Sequence, residues 1–402
     1  MTPTRVLPKP ASAVRLGNGA ALLLQAAIVT AFLAASSAPS PLYAVYRAAW
    51  GFSALTLTAV FASYAFALLS ALLLFGPLSD HVGRKTVLLG ALVLEAGSLF
   101  LFWRAESVAW LFAARIVQGL ATGIATSTLN AGLVDLNRER GALVNSIAPM
   151  IGMGIGALGT SFLVQYGPAP AKLVFLLLIA VFVVLFALST ALPETVSPVP
   201  HAWQSAWRSM KPAMAIPVAA RQTLWRVMPV NTALWALGGF YLSLGPTLAR
   251  QVTGIVKPLI GGSLIATLVF SSAVAVLVVR AKAPRQVLFG GAVALASGLA
   301  VTLAGIALHA AWPFFIGTAI AGFGFGAAFN GSMRSLVPLA APHERAGLMA
   351  GFFALSYMAF AVPAMLAGLA AGMLGLPATA MSYGAILIVL AVVALLMMRR
   401  QS

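Results

Sequence analysis

Only 7 of the 402 residues are acidic, against 24 lysines and arginines, so charges inside apolar sequence stand out. Arg115 lies several residues within an apolar run. Gln118, Thr122 and Thr126 follow at i+3, i+7 and i+11, which makes one polar stripe on a helix. An arginine held in hydrocarbon costs at least about 3 kcal/mol and usually handles an ion or a substrate. The other reading is a side chain that snorkels to the nearer membrane surface. Glu95 is the only acidic residue near the middle of an apolar run. A carboxyl there could exchange protons, or sit neutral and hydrogen-bonded between helices. A third group is the turn Gly76-Pro77-Leu78-Ser79-Asp80-His81-Val82-Gly83-Arg84-Lys85, between two long apolar runs. Asp80 can cap a helix or pair with a cation, or be merely solvated. Gly83 permits a positive φ or a close backbone approach.

Uncharged candidates are more diffuse. Ser36, Ser40 and Tyr43 share one face of the first apolar run, Asn231 and Trp235 precede Tyr241 in the seventh, and Asn330 is similar in the second half of the chain. Binding pockets are mostly apolar with few polar groups, so these residues could line one. Equally, serines can bond their own backbone and aromatics can anchor at the membrane interface. Met150 and Met153 read as packing. Signals for catalysis are missing from the sequence. The four histidines (His81, His201, His309 and His343) are scattered, and neither H-E-x-x-H nor G-x-x-x-x-G-K-[ST] occurs. No metal site, resident cofactor or enzymatic role is expected. With no cysteine, disulfide and thiol chemistry are excluded.

The elements that must position these residues follow from composition. Hydrophobic residues make up 61% of the chain and charged residues 8%, with a mean hydropathy of +1.00. A soluble domain carries about 25% charged residues, so this is an integral membrane protein. The runs are continuous and about 20 residues long, which favours helices over the roughly ten-residue alternating strands of a barrel. Twelve spans are expected, near 19–45, 54–75, 86–103, 108–134, 141–166, 171–192, 227–248, 257–280, 286–307, 311–333, 345–371 and 377–398. Residues 1–192 and 227–402 form two six-helix halves. The linker, 193–226, holds Arg208, Lys211, Arg221, Arg226, Trp203 and Trp207 and suits an amphipathic surface helix.

Arg and Lys fall on alternate sides, with only Arg47, Arg104, Lys172, Arg250 and Lys257 on the sparser one. That bias places both termini in the cytoplasm. It also explains the net charge of +17 without nucleic acid as a partner. Motifs recur between the halves. Arg138-Glu139-Arg140-Gly141 opens the fifth span and His343-Glu344-Arg345-Ala346 the eleventh, while Arg84 precedes Val87-Leu88-Leu89-Gly90 as Arg285 precedes Val287-Leu288-Phe289-Gly290. Repeated halves are a transporter architecture with a solute site between them.

The order G-x-L-S-D-x-x-G-R-K over Gly76–Lys85 resembles the loop motif between helices 2 and 3 of the major facilitator superfamily. Arg115-Ile116-Val117-Gln118-Gly119 resembles its R-x-x-Q-G motif on helix 4, where the arginine lies near the central cavity and is implicated in proton coupling. The resemblance implies a charge network of Asp80, Arg84 and Asp135, and a peripheral third helix, which favours a structural Glu95. Gly152, Gly156 and Gly159 match part of the antiporter motif G-x-x-x-G-P-x-x-G, with Ala157 in place of its proline. Those glycines equally suit close helix packing. The expectation is an all-α secondary transporter of the inner (plasma) membrane, monomeric, moving a small organic solute by alternating access. Proton-coupled efflux by antiport comes first and uptake by symport or uniport second. A non-transporting sensor or scaffold of the same fold is the alternative from another class.

Overall fold

The computed structural model describes residues 16–196, 204, 214–341 and 343–399. They form fifteen α-helices and a short 3-10 turn, with no strand among the described residues. The first half holds α1 (Asn18–Ser37), α2 (Pro39–Trp50), α3 (Ala54–Phe75), the short α4 (Leu78–Val82), α5 (Arg84–Trp103), α6 (Val108–Leu136), α7 (Arg138–Tyr166) and α8 (Pro170–Ser189). The second holds α9 (Val218–Ser243), α10 (Gly245–Thr253), α11 (Leu259–Val279), α12 (Pro284–Ala307), α13 (Ala311–Leu336), α14 (Arg345–Leu374) and α15 (Leu376–Arg399). Eleven spans are long and apolar enough to cross a membrane, and α9 with α10, bent by 72°, supplies a twelfth. In lipid only such self-satisfied backbones are tolerated.

Local chemistry sets the ends. The Ser53 side chain accepts from Thr56 N at 3.1 Å and that of Asn137 from Arg140 N at 2.9 Å, capping α3 and α7. Gly51 and Gly254 end α2 and α10 at φ 66° and 69°, the left-handed cap for which glycine carries no Cβ penalty. The seventh span starts at Val218, about two and a half turns before residue 227. Its first turns carry exposed Arg221, so the helix extends beyond the apolar stretch on which the boundary was drawn. Arg208, Lys211, Trp203, Trp207 and the surface helix expected there lie outside the described residues.

The halves repeat one packing plan. α3 packs on α6 as α11 packs on α13, α1 on α7 as α9 on α14, and α5 on α8 as α12 on α15. Across the halves α7 meets α11 and α14 meets α3, the pairings that exchange under a pseudo-two-fold axis. These cross-half contacts gather on the side away from the Asp80 turn. Leu259 N bonds Gln165 Oε1 at 3.3 Å, Gly262 fits against Ala157 and Ser161, and Gly368 against Thr58. Phe61 and Phe360 meet deeper, with ring centroids 5.0 Å apart.

Candidate functional site

The site begins with a proline. Pro39 has no N–H, so the Ala35 carbonyl four residues earlier loses its helical partner. The first span is interrupted here, between α1 and α2. Gln118 Nε2, from α6, donates to that carbonyl at 3.1 Å, and Arg115 Nη1 donates to the Ser36 carbonyl at 2.8 Å. Arg115 Nε also donates to Tyr43 Oη on α2 at 2.6 Å, so one guanidinium holds both sides of the break. Its carbon lies 5.4, 5.3 and 5.6 Å from the ring centres of Tyr43, Tyr64 and Phe102, a cation–π enclosure. Arg115 is 0% exposed; the snorkelling alternative does not describe it.

The same residues reach Glu95 on α5. Arg115 Nη1 donates to Gln118 Oε1 at 2.7 Å, and Gln118 Nε2 donates to Glu95 Oε1 at 3.0 Å. Gln118 stands between cation and carboxyl, and all three side chains are fully buried. Glu95 Oε2 and Arg115 Nη2 have no hydrogen-bond partner. A buried polar atom left so costs about 1–3 kcal/mol, and it leaves room on the carboxyl for a proton.

Beside this string lies a cavity of about 220 Å³ between the halves. Ser36 and Tyr64 belong to both, since they line the cavity and touch Arg115. Trp235, Phe329, Tyr357 and Phe360 form a ring cluster on its wall. Asn130, Asn145 and Ser146 carry it toward the face that bears the Asp80 turn. Thr126 lines the cavity, and so do Met150 and Met153, which the sequence suggested as packing. Ser40, Asn231, Asn330 and Tyr241 are not in its lining. Asn231 Nδ2 instead donates to Ser356 Oγ at 2.8 Å, tying α9 to α14, and Tyr241 pairs with Thr318 at 2.9 Å. The Ser40 hydroxyl and Asn330 Oδ1 are buried without a partner.

The Asp80 turn is a second cluster. Arg84 pairs with Asp80 at 2.5 Å and with Asp135 at 3.2 Å, and bonds Ser79 Oγ at 2.7 Å. Gly83 sits at φ 105°, and a Cβ there would lie 2.6 Å from Glu194 Oε2. The Glu194 carboxylate accepts from Arg84 N at 2.8 Å and Lys85 N at 3.1 Å, an anion on the N-terminus of α5. Lys85 Nζ donates to Thr190 O. Glu194 was not singled out in the sequence; its signal was its rarity as an acid just after the sixth span. Gly76 follows α3 with ordinary helical angles. The bonds described here lie within the first half and the start of the linker, so the network forms while the cavity reaches this same face.

Of the α7 glycines, Gly152 and Gly156 pack against α1, where a Cβ would strike the carbonyls of Thr30 and Ala34. Gly159 does not pack: nothing lies within 4 Å of a Cβ built there. The reason is that α1 ends at Ser37, level with Gly156, and the chain has turned into α2 one turn further on. Among the described residues no group of three or more His, Asp or Glu could hold a metal.

Two repeated six-helix halves around a central cavity define a membrane carrier. The chain belongs to the Major Facilitator Superfamily, whose family model matches residues 26–357, and it is a transporter of small solutes. The fold is similar to the crystal structure of the nucleoside transporter NupG, in a mutant form, with TM-score 0.72 at 14% identity over 95% of this chain and 100% of that one. It is also similar to the human organic anion transporter MFSD10 (TETRAN), with TM-score 0.67 at 18% identity over 94% and 100%. The comparison with curated proteins gives no match.

Proposed function

We propose that this protein exports a small organic solute from the cell in exchange for protons, by alternating access between its two halves. The observation that carries the reading is the buried string Glu95–Gln118–Arg115, which meets the cavity through Ser36 and Tyr64. A solute that displaces Tyr64 or Ser36 alters the acceptors around Arg115 and, through Gln118, the surroundings of the Glu95 carboxyl. Protonation of Glu95 acts back along the same path, as linkage requires. The cavity's apolar walls support export. A solute suited to them crosses lipid unaided, so a coupled carrier is needed to move it out. Uptake by symport or uniport is favoured by one observation, Ala157 in place of the antiporter motif's proline.

The two similar structures carry different named cargoes, a nucleoside and an organic anion, so the fold does not choose the solute. The basic-residue bias supports an inner (plasma) membrane protein with both termini in the cytoplasm. The loop-bearing face is then cytoplasmic and the described conformation faces inward. A monomer suffices, with the proton gradient in place of any resident cofactor. Counterflow in vesicles holding the full chain tests transport: labelled solute should exchange saturably, and Arg115→Ala should abolish the exchange. A sensor or scaffold would bind solute without exchanging it. Single cysteines give the topology, since the native chain has none. A cysteine beside Lys172 should react from outside intact cells and one beside Lys282 should not.

A further inference from the structure

The cavity's lining states what it can hold. Among the described residues no Asp, Glu, Lys or Arg side chain lines it. Arg115, a candidate to meet an anion, is fully buried behind Tyr64 and Ser36: its Nε and Nη1 are taken by Tyr43, the Ser36 carbonyl and Gln118, and its unpartnered Nη2 is no part of the cavity lining. Glu95, which could meet a cation, lies one residue further back. An ion entering this space would lose its water without a counter-charge, and that is heavily unfavourable.

What the lining offers instead is rings. Phe61 of α3 and Phe360 of α14 touch across the halves, and Trp235 of α9 stands 5.0 Å from Tyr357 and 5.8 Å from Phe360, centroid to centroid. Offset and edge-on packing against such rings favours a flat aromatic guest. The opposite end is polar. Asn145 holds the Asn130 carbonyl at 3.1 Å, and its own Oδ1 has no partner. At about 220 Å³ the space lies below the roughly 300–1,000 Å³ of pockets for drug-sized ligands.

We propose that this cavity selects an uncharged molecule with a flat ring and one hydrogen-donating polar end, the ring among Phe61, Trp235, Tyr357 and Phe360 and the polar end toward Asn145. The assignment rests on the transport reading above, and it names the substrate class of the same site. Because the ring cluster draws on α3, α9 and α14, the guest bridges both halves, as a solute that drives alternating access must.

The test uses purified full-length protein and three probes that share one ring and differ in charge: benzamide, benzoate and phenyltrimethylammonium. Benzamide should raise the melting temperature and bind at least about tenfold tighter than either ion, and Trp235→Leu should weaken it by about tenfold while Trp235→Phe weakens it less. Equal or tighter binding of phenyltrimethylammonium would make the rings a cation cage and overturn the proposal. Equal binding of benzoate, or no binding of benzamide, would overturn it as well. Vesicle exchange of the same probes separates this inference from the transport reading. Exchange of an ion alone leaves the carrier intact and the substrate class wrong. Benzamide that binds but never exchanges leaves the substrate class standing and the transport reading wrong.

Discussion

The α5–α6 pair of the first half and the α12–α13 pair of the second occupy equivalent places and are held by different physics. The register between them can be read from contacts. Gly119 and Gly123 of α6 press on α3 near Leu68, as Gly322 and Gly326 of α13 press on α11 at Leu268 and Ser272. Arg115 precedes Gly119 by four residues, and Thr318 precedes Gly322 by four. Gln118 then corresponds to Ala321, and through the Val87 and Val287 repeats Glu95 corresponds to Leu295. Where the first half joins its helices by carboxyl, amide and guanidinium, the second presses backbone on backbone. Gly291, Gly298 and Gly305 recur every seven residues on α12, and Gly317, Gly324 and Gly331 on α13. A Cβ on any of them would collide with the facing helix. Small residues at this spacing allow close, rigid helix association.

The difference reaches the adjoining spans. The interruption at Pro39 is held by Arg115 and Gln118, and the first span runs on as one, Asn18–Trp50. Near Pro246 the second half has the neutral Tyr241–Thr318 pair, and its span bends by 72°. Hydrogen bonds can exchange partners when a proton arrives, whereas a glycine seam cannot. The proposed proton response therefore falls in the first half, whose contacts can rearrange, and not in the α12–α13 seam.

The largest expected effect breaks the seam. Gly298→Leu should abolish recovery of folded protein, because its side chain would enter the Ala321 backbone. Gly97→Leu on α5, where nothing lies within 4 Å, should leave stability within about 0.5 kcal/mol. Thermal melting in detergent reads both.

Next comes the first half. Arg115→Ala should abolish transport and destabilise the fold by about 3 kcal/mol or more, since it strips donors from Tyr43, the Ser36 carbonyl and Gln118, each buried acceptor costing about 1–3 kcal/mol. Arg115→Lys should recover part of the stability, because an ammonium lacks the fixed fork. Thr318→Val, its counterpart, should cost about 1 kcal/mol and leave transport in place. If Thr318→Val harmed transport as much as Arg115→Ala, the asymmetry would fail.

A smaller effect is expected at the loops. Asp80 and Asp135 share Arg84. Asp80→Asn and Asp135→Asn should each slow transport, and the double variant should cost less than the sum, as coupled groups do. Each partly exposed pair contributes under about 1 kcal/mol to stability, so protein yield should not change. In the second half Arg334 donates only to the Lys282 carbonyl among the bonds described, at 2.9 Å, and Arg334→Gln should change neither quantity.

Much of this architecture could be read from residue order. The span positions followed from continuous apolar runs, and Arg115 stood out as a charge inside one, where the structure buries it. The Gln118–Glu95 contact was not legible, because it depends on the rotation of α5 against α6, which a nearly uniform apolar helix does not encode. For the same reason Tyr64, Phe329 and Phe360 were missed: an aromatic in a membrane helix looks alike whether it meets lipid or a cavity. Asn231 and Tyr241 are as polar as cavity residues and turned out to bond Ser356 and Thr318. Glu194 meets Arg84 from more than a hundred residues away, a distance no local motif spans.

The central claim is that the first half responds to a proton on Glu95. The direct measurement is solute-induced proton flux in proteoliposomes, wild type beside Glu95→Gln, with the solute that exchanges in counterflow. Glutamine keeps an oxygen for Gln118 and resembles the neutral carboxyl, yet it cannot titrate. The account predicts that Glu95→Gln retains downhill exchange and loses both proton flux and accumulation against a gradient. Equal proton flux in the two proteins would make Glu95 a structural tie between α5 and α6 and contradict the claim.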